Sequence, residues 1–266
     1  RQMVIFNRMG SVADKVVVDD VRDFFLNPGH WVYQYGSPSS CVNDSPYHRK
    51  QIEVLFEKKY FHWITDRAVN TLLKEGFLRE TKTDVANFVY RSNVRYVTRE
   101  INKRKKLIQR YSDPIITRAI GSYAETLFSF LFRVYNFTIV GCNVNEYKRN
   151  KWIETEHNLD FIIEKDGISY GVEVKNTLPY MEEEEFNIKI KMCEYLNITP
   201  LWVLRYAPGT QFEAMKKAGG FIVVFKTQIY PPGQEPLVKE MWGLMRLPVS
   251  VWKDIPKGVE KQLARM

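Results

Sequence analysis

Two short apolar runs on either side of Asp166-Gly167 constrain the fold of this 266-residue chain more than any other feature. The first is Leu159-Asp160-Phe161-Ile162-Ile163-Glu164; the second is Ile168-Ser169-Tyr170-Gly171-Val172-Glu173-Val174-Lys175. Asp-Gly between β-rich runs is a strong hairpin signal, because both residues tolerate the positive φ of a tight turn. Side chains alternate along a strand, so Ile168, Tyr170, Val172 and Val174 share one face. Ser169, Gly171, Glu173 and Lys175 share the other, where Asp160 can join them. The small residues there are expected to leave room for a substrate.

Glu-x-Lys on a strand can equally be the solvated face of an amphipathic hairpin. The flanking sequence argues otherwise. A helical pattern over 182–196 carries Phe186, Ile188, Ile190, Met192, Cys193, Tyr195 and Leu196. An apolar run follows at 200–204, a short helix fits 210–218, and after Gly219-Gly220 comes Phe221-Ile222-Val223-Val224-Phe225. Apolar strands alternating with helices predict an α/β domain whose sheet is covered on both faces. Carboxylates and ammonium groups under such cover need partners or a metal. Carboxylates holding a hard cation beside a lysine suit phosphodiester hydrolysis.

A third acidic candidate lies upstream. Ser112-Asp113-Pro114 is a helix start, and the helix runs to about Tyr135 with a wide apolar stripe. Glu125 sits off the stripe's centre, with Gly121, Ser122 and Ser129 three or four positions away. Such a carboxylate can approach a neighbouring element closely, or be an ordinary surface glutamate. A strand, Phe137-Thr138-Ile139-Val140, comes next.

A helix with Glu125, a strand, the Asp160 and Glu173-x-Lys175 hairpin, then helix, strand, helix, strand: this order resembles the PD-(D/E)xK nuclease superfamily. That is the restriction-endonuclease-like or Holliday-junction-resolvase-like core, and the resemblance covers about residues 112–230. Leu159 stands where many members have proline. The resemblance implies a mixed sheet flanked by helices and a Mg²⁺-dependent endonuclease, with Mn²⁺ able to substitute. Asp160, Glu173 and the backbone carbonyl of Val174 would hold the metal. Lys175 would orient or deprotonate water, or neutralise transition-state charge. Glu125 would bind a second metal or its waters, or hold Lys175 in place.

The net charge of +8 is uneven. Residues 1–112 carry 20 Lys and Arg against 12 Asp and Glu, and residues 113–266 carry 19 of each. All the excess therefore lies in the N-terminal part, as expected for docking on a polyanion. Helices are predicted over 14–26, stopped by Asn27-Pro28-Gly29, near 48–59, and over 65–75, capped at Thr65 and closed by Gly76. A loop-rich stretch spans 36–46. Phe77–Thr81 and Asn87–Arg91 then flank a polar turn. This order resembles a winged helix-turn-helix domain, mainly α, over residues 1–97. In that family the 65–75 helix would enter the major groove with Arg67, Asn70 and Lys74, while Arg79, Lys82, Arg91 and Arg95 would meet phosphates. Residues 98–112, rich in Lys and Arg, read as a basic connecting helix before a catalytic domain over 113–266.

Duplex or branched DNA is thus the expected partner, and a homodimer is compatible with it. The alternatives are a DNA-binding regulator with an inactive nuclease fold, a partner-dependent subunit, or an RNA-cutting enzyme. Three scattered cysteines, Cys41, Cys142 and Cys193, support neither a disulfide framework nor a zinc site. No signal-peptide pattern or eighteen-residue apolar run occurs, so the cytoplasm is the expected location. The Glu182–Glu185 run reads as a helix start that suits the macrodipole, in preference to a metal-binding role. His157 reads as a loop or core residue. Arg205 could meet a scissile phosphate or form a rim salt bridge. The proline-rich last forty residues are expected to wrap the core irregularly.

Overall fold

The computed structural model describes residues 14–27 and 45–264. His30, Cys41 and most of the 28–46 stretch, including the expected stop at Pro28-Gly29, lie outside the described residues. The chain divides into two compact units: residues 1–110 with 240–247, and residues 111–239 with 248–266. Both units mix helices with sheet. Among the described residues, no helix is long and apolar enough to cross a membrane.

The first unit opens with α1 (Lys15–Leu26), whose N-cap Asp14 accepts a hydrogen bond from the Val16 amide at 3.0 Å. β1 (Tyr47–His48), α2 (Arg49–Phe56) and α3 (His62–Lys74) follow, then β2 (Leu78–Lys82) and β3 (Asn87–Arg91). The three strands form an antiparallel sheet in the order β1-β3-β2. β1 was not anticipated, since a two-residue strand has no period to read. α3 begins three residues before the expected Thr65 cap. Thr65 is instead buried within the helix, and its hydroxyl donates to the Phe61 carbonyl. Gly76 follows α3 with a φ of +73°, a conformation that favours glycine. Phe24, Ile52, Ala68, Leu72 and Val89 are fully buried, and the Phe24 ring meets Tyr47 edge-on at 4.7 Å. α4 (Thr98–Tyr111) closes this stretch.

The second unit begins with α5 (Pro114–Val134), N-capped by Asp113, which accepts from the Ile115 amide at 2.8 Å. β4 (Thr138–Val144), the short pair β5 (Glu146–Tyr147) and β6 (Asn150–Lys151), β7 (Leu159–Lys165) and β8 (Ile168–Lys175) follow. Then come α6 (Glu183–Leu196), β9 (Thr199–Leu204), α7 (Gly209–Lys217) and β10 (Phe221–Val224). A five-stranded mixed sheet runs β10-β9-β8-β7-β4. β8, β9 and β10 are parallel, while β7 is antiparallel to both β8 and β4.

The β7–β8 turn is the two-residue loop Asp166-Gly167, with φ of 51° and 79°, between paired Lys165 and Ile168. Positive φ at both positions matches the right-handed strand twist. One sheet face buries Phe161, Ile163, Tyr170, Val172 and Val174 against Phe128 and Phe132 of α5. The other buries Ile162, Trp202 and Leu204 against Phe186, Met192 and Cys193 of α6. The last forty residues are more regular than expected. They form β11 (Gln228–Tyr230), α8 (Glu235–Met245), β12 (Val249–Val251) and α9 (Lys257–Leu263). Pro236 sits in the first turn of α8 and Pro256 caps α9, where a missing amide costs nothing.

Candidate active site

β7 and β8 pair antiparallel with Phe161 opposite Val172, so the next step along the ladder sets Asp160 beside Glu173. Both belong to the face that α6 covers. Asp160 Oδ2 accepts a hydrogen bond from the Val174 amide at 2.7 Å, which ties this carboxylate to the edge of β8. Glu173 is buried and accepts a hydrogen bond from the Lys189 ammonium of α6. Burial holds the Asp160 carboxyl above its usual range, opposed first by the Val174 amide and then by Lys189 and Lys175. Burial pushes Glu173 up to about 8, Asp160 adding in the same direction and Lys189 opposing.

Lys175 projects two residues beyond Glu173 and is held by Glu185 of α6, its Nζ donating to Oε1 at 2.7 Å and Oε2 at 2.9 Å. Lys189 Nζ lies 3.8 Å from the same Oε1. Five charged side chains thus interlock: Asp160, Glu173 and Glu185 with Lys175 and Lys189. Glu125, on α5, is half-buried, and its carboxyl is held up by burial and then by the Asp160 charge. Among the described residues, no group of three His, Cys, Asp or Glu side chains is placed to hold a metal ion. The donor set still fits Mg²⁺ in kind. Mg²⁺ uses one or two carboxylates and fills its other positions with water and phosphate oxygen, and Asp160 with Glu173 is such a pair.

α6 comes this close because of Gly171. A Cβ there would lie 2.6 Å from Cys193 Sγ and 2.8 Å from Leu159 Cδ1. This corrects the expectation that Gly171 leaves room for substrate: helix packing fills the room. Ser169 likewise meets the Tyr147 hydroxyl at 2.8 Å.

Glu185 and Lys189 are the residues that sequence reasoning missed, since the 182–185 run was read as macrodipole complement in preference to a metal-binding role. A signal was present. The buried stripe of α6 is Phe186, Lys189, Met192, Cys193 and Leu196, so a lysine sits at a core position. Such a lysine needs a buried anion.

Two neighbours are structural. Asn176, buried just after β8, donates to the Ile120 and Ile229 carbonyls at 2.9 and 2.8 Å and accepts from the Ile229 amide at 2.7 Å. Arg205 is buried, and its guanidinium donates to the backbone carbonyls of Thr177 and Leu178, bracing the segment that leaves β8. His157 Nδ1 lies 2.9 Å from the Thr155 hydroxyl.

In the first unit the candidate nucleic-acid residues separate. Arg67 and Lys74 are exposed on α3, with the Arg67 guanidinium 4.7 Å over the Trp63 ring. Asn70 is engaged elsewhere: its Oδ1 accepts from Arg49 Nη2 at 2.7 Å and its Nδ2 donates to Asp66 at 3.1 Å. Arg49 also donates to Asp66 and Glu80, at 3.0 and 2.9 Å. Arg79 and Lys82 on β2 are exposed, as is Arg95, while Arg91 on β3 is half-buried. Several of the basic residues of α4 are paired. Arg104 is buried against Glu100, Lys103 also pairs with Glu100, Lys105 with Asp84 and Arg110 with Glu240. Arg99 and Lys106 remain exposed.

No family model matches the chain, and no curated protein matches it. Among solved structures, it is similar to Can2 from Sulfobacillus thermosulfidooxidans in complex with cyclic tetra-adenylate, at 11% identity and a TM-score of 0.29. That match spans 79% of this chain and 53% of the other, and at such a score it carries no argument about fold or activity.

Proposed function

We propose that this chain is a metal-dependent endodeoxyribonuclease of the PD-(D/E)xK type. The observation that carries this reading is the juxtaposition of Asp160 and Glu173 on adjacent strands, with Lys175 two positions further along. The order helix, strand, hairpin, helix, strand, helix, strand, with its β10-β9-β8-β7-β4 sheet, supports it. In the first unit, the order α1-β1-α2-α3-β2-β3 with a β1-β3-β2 sheet supports a winged helix that docks on DNA.

Asp160 and Glu173 would hold Mg²⁺, with the Val174 carbonyl beside them. Mg²⁺ bound there would polarise the scissile phosphate and make a coordinated water more acidic. Lys175, an ammonium set between carboxylates, is suited to neutralising the charge that builds on phosphate oxygen. In this structure Glu185 holds Lys175 close to the carboxylate pair. Glu125, close enough to feel the Asp160 charge, would order metal-bound water. On the docking side, Arg67 and Lys74 of α3 and Arg79, Lys82, Arg91 and Arg95 beyond it would meet DNA. Asn70, held by Arg49, would act by keeping α3 in place.

One observation favours a second reading, a DNA-binding regulator or partner-dependent subunit: Lys189 already occupies Glu173. The test is cleavage of supercoiled plasmid with Mg²⁺, Mn²⁺ or EDTA by wild type and Lys175→Ala, with an RNA substrate in parallel. Metal-dependent nicking lost in the variant is expected. Binding without cutting under every condition would move the assignment to the regulator, and equal cutting of RNA would remove the DNA specificity.

A further inference from the structure

The charged cluster beneath α6 is linked by shared partners. Glu173 and Lys189 have side chains only 5% and 7% exposed and hydrogen-bond each other. Lys189 is also 3.8 Å from Glu185 Oε1, the oxygen that holds Lys175 at 2.7 Å. The two lysines thus have one carboxylate in common, and Lys189 can pass from Glu173 to Glu185 by rotating its terminal torsions. A divalent cation on Glu173 would face the Lys189 ammonium within a few ångströms, and at a low effective dielectric that repulsion is large. The two cations cannot share the site.

We infer that Lys189 is a resident counter-ion which a divalent cation must displace from Glu173, so that Lys189 gates metal loading. The inference rests on the nuclease reading, since it takes Asp160 and Glu173 as the metal-binding pair. Displaced Lys189 moves onto Glu185, the nearest carboxylate left to it. Glu185 then shares its charge between two ammonium groups, and its hold on Lys175 loosens. Metal entry thereby turns Lys175 from a partner of α6 into a group free to reach a phosphate. Each step is an exchange of ion-pair partners and no covalent bond changes. Because the competent arrangement must first be populated, the apparent metal affinity is the intrinsic affinity multiplied by the fraction of molecules with Lys189 withdrawn.

The test is a calorimetric titration with Mn²⁺ alone on wild type, Lys189→Met and Glu173→Gln, with thermal melts in the presence and absence of Mn²⁺. Methionine keeps the length and apolar stem of lysine and removes its charge. Lys189→Met is expected to bind Mn²⁺ roughly tenfold or more tightly than wild type. Its melting temperature should also rise further on adding Mn²⁺ than that of wild type, because the metal restores the lost counter-charge. Glu173→Gln should lose the binding heat. A purely structural lysine would lower the melting temperature equally with and without metal. If Lys189→Met does not fold, Lys189→Gln, which keeps a hydrogen-bond donor for Glu173, carries the same comparison. Equal Mn²⁺ affinity in wild type and the Lys189 variant, with wild type still cutting plasmid, overturns the inference and leaves the nuclease reading standing. Absence of both Mn²⁺ binding and cleavage removes the reading and the inference with it.

Discussion

The two units each carry a cluster of interlocked charges, and the clusters differ in burial. In the second unit Glu173 and Lys189 lie under a helix, with side chains 5% and 7% exposed. In the first, Arg49 bridges Asp66 and Glu80 on a surface where the Asp66 side chain is 38% exposed. Water competes for the Arg49 cluster and hardly at all for the Glu173–Lys189 pair. A buried ion pair contributes little net stability when intact, but removing one partner leaves an uncompensated charge. A half-exposed pair that loses a member is rehydrated. Buried charges are therefore where a chain can hold chemistry ready, and exposed ones mainly fix local geometry.

The largest contrast should appear in catalysis. Asp160→Ala and Glu173→Ala should abolish metal-dependent plasmid cleavage while leaving DNA retardation in a gel nearly unchanged. Arg67→Ala should weaken retardation and flatten its salt dependence. Cleavage at the wild-type rate by the Asp160 variant would end the assignment of the site.

Stability should divide along the same line. Lys189→Ala, which strands Glu173, should cost about 3–5 kcal/mol in denaturant unfolding. Arg49→Ala, which leaves Asp66 38% and Glu80 15% exposed, should cost about 1–2 kcal/mol. Similar losses for both would show that burial does not separate the clusters.

Gly171→Ala tests the packing that creates the buried cluster. Its Cβ would press on Cys193 and Leu159, and overpacking of this kind costs about 1–3 kcal/mol. Gly121, in α5, has nothing within 4 Å of a Cβ, so Gly121→Ala should be neutral or stabilising by about 0.5–1 kcal/mol. Melting temperatures of the two variants check this.

A further contrast concerns pH. Glu173 has a folded pKa raised above the ordinary 4.5, to about 8. The folded state therefore binds the proton more tightly than the unfolded chain between those values. The contribution of Glu173 to stability is greatest below the unfolded pKa and declines as pH rises through that window. Glu173→Gln, which cannot ionise, should gain on wild type over the same interval in unfolding titrations without metal. A constant difference across it would show that Lys189 cancels the effect of burial.

The β7–β8 hairpin, its face assignment and the α/β alternation were legible because they rest on local rules. An Asp-Gly turn, a two-residue period and the lengths of apolar runs act over a few residues, and each agrees with the others. The same holds for the Asp113 cap of α5 and for Gly76 after α3. β1 escaped notice because two residues carry no period, and the end of the chain looked irregular although two of its prolines, Pro236 and Pro256, sit at helix starts. The partners of Asn70 and Arg205 were not legible, for a different reason. A polar side chain on a helix or after a strand looks the same in sequence whether it faces solvent or another element.

By itself the sequence determined which side chains could meet across the hairpin, since backbone alternation leaves Asp160, Glu173 and Lys175 on one face of their strands. Only the tertiary structure decided what those charges meet. Gly171 lets α6 settle onto β8, and that contact joins residues sixteen apart, Glu173 and Lys189, and ten apart, Lys175 and Glu185. Partner choice among buried charges depends on which helix covers them and how closely, and that distance is set by packing across the sheet.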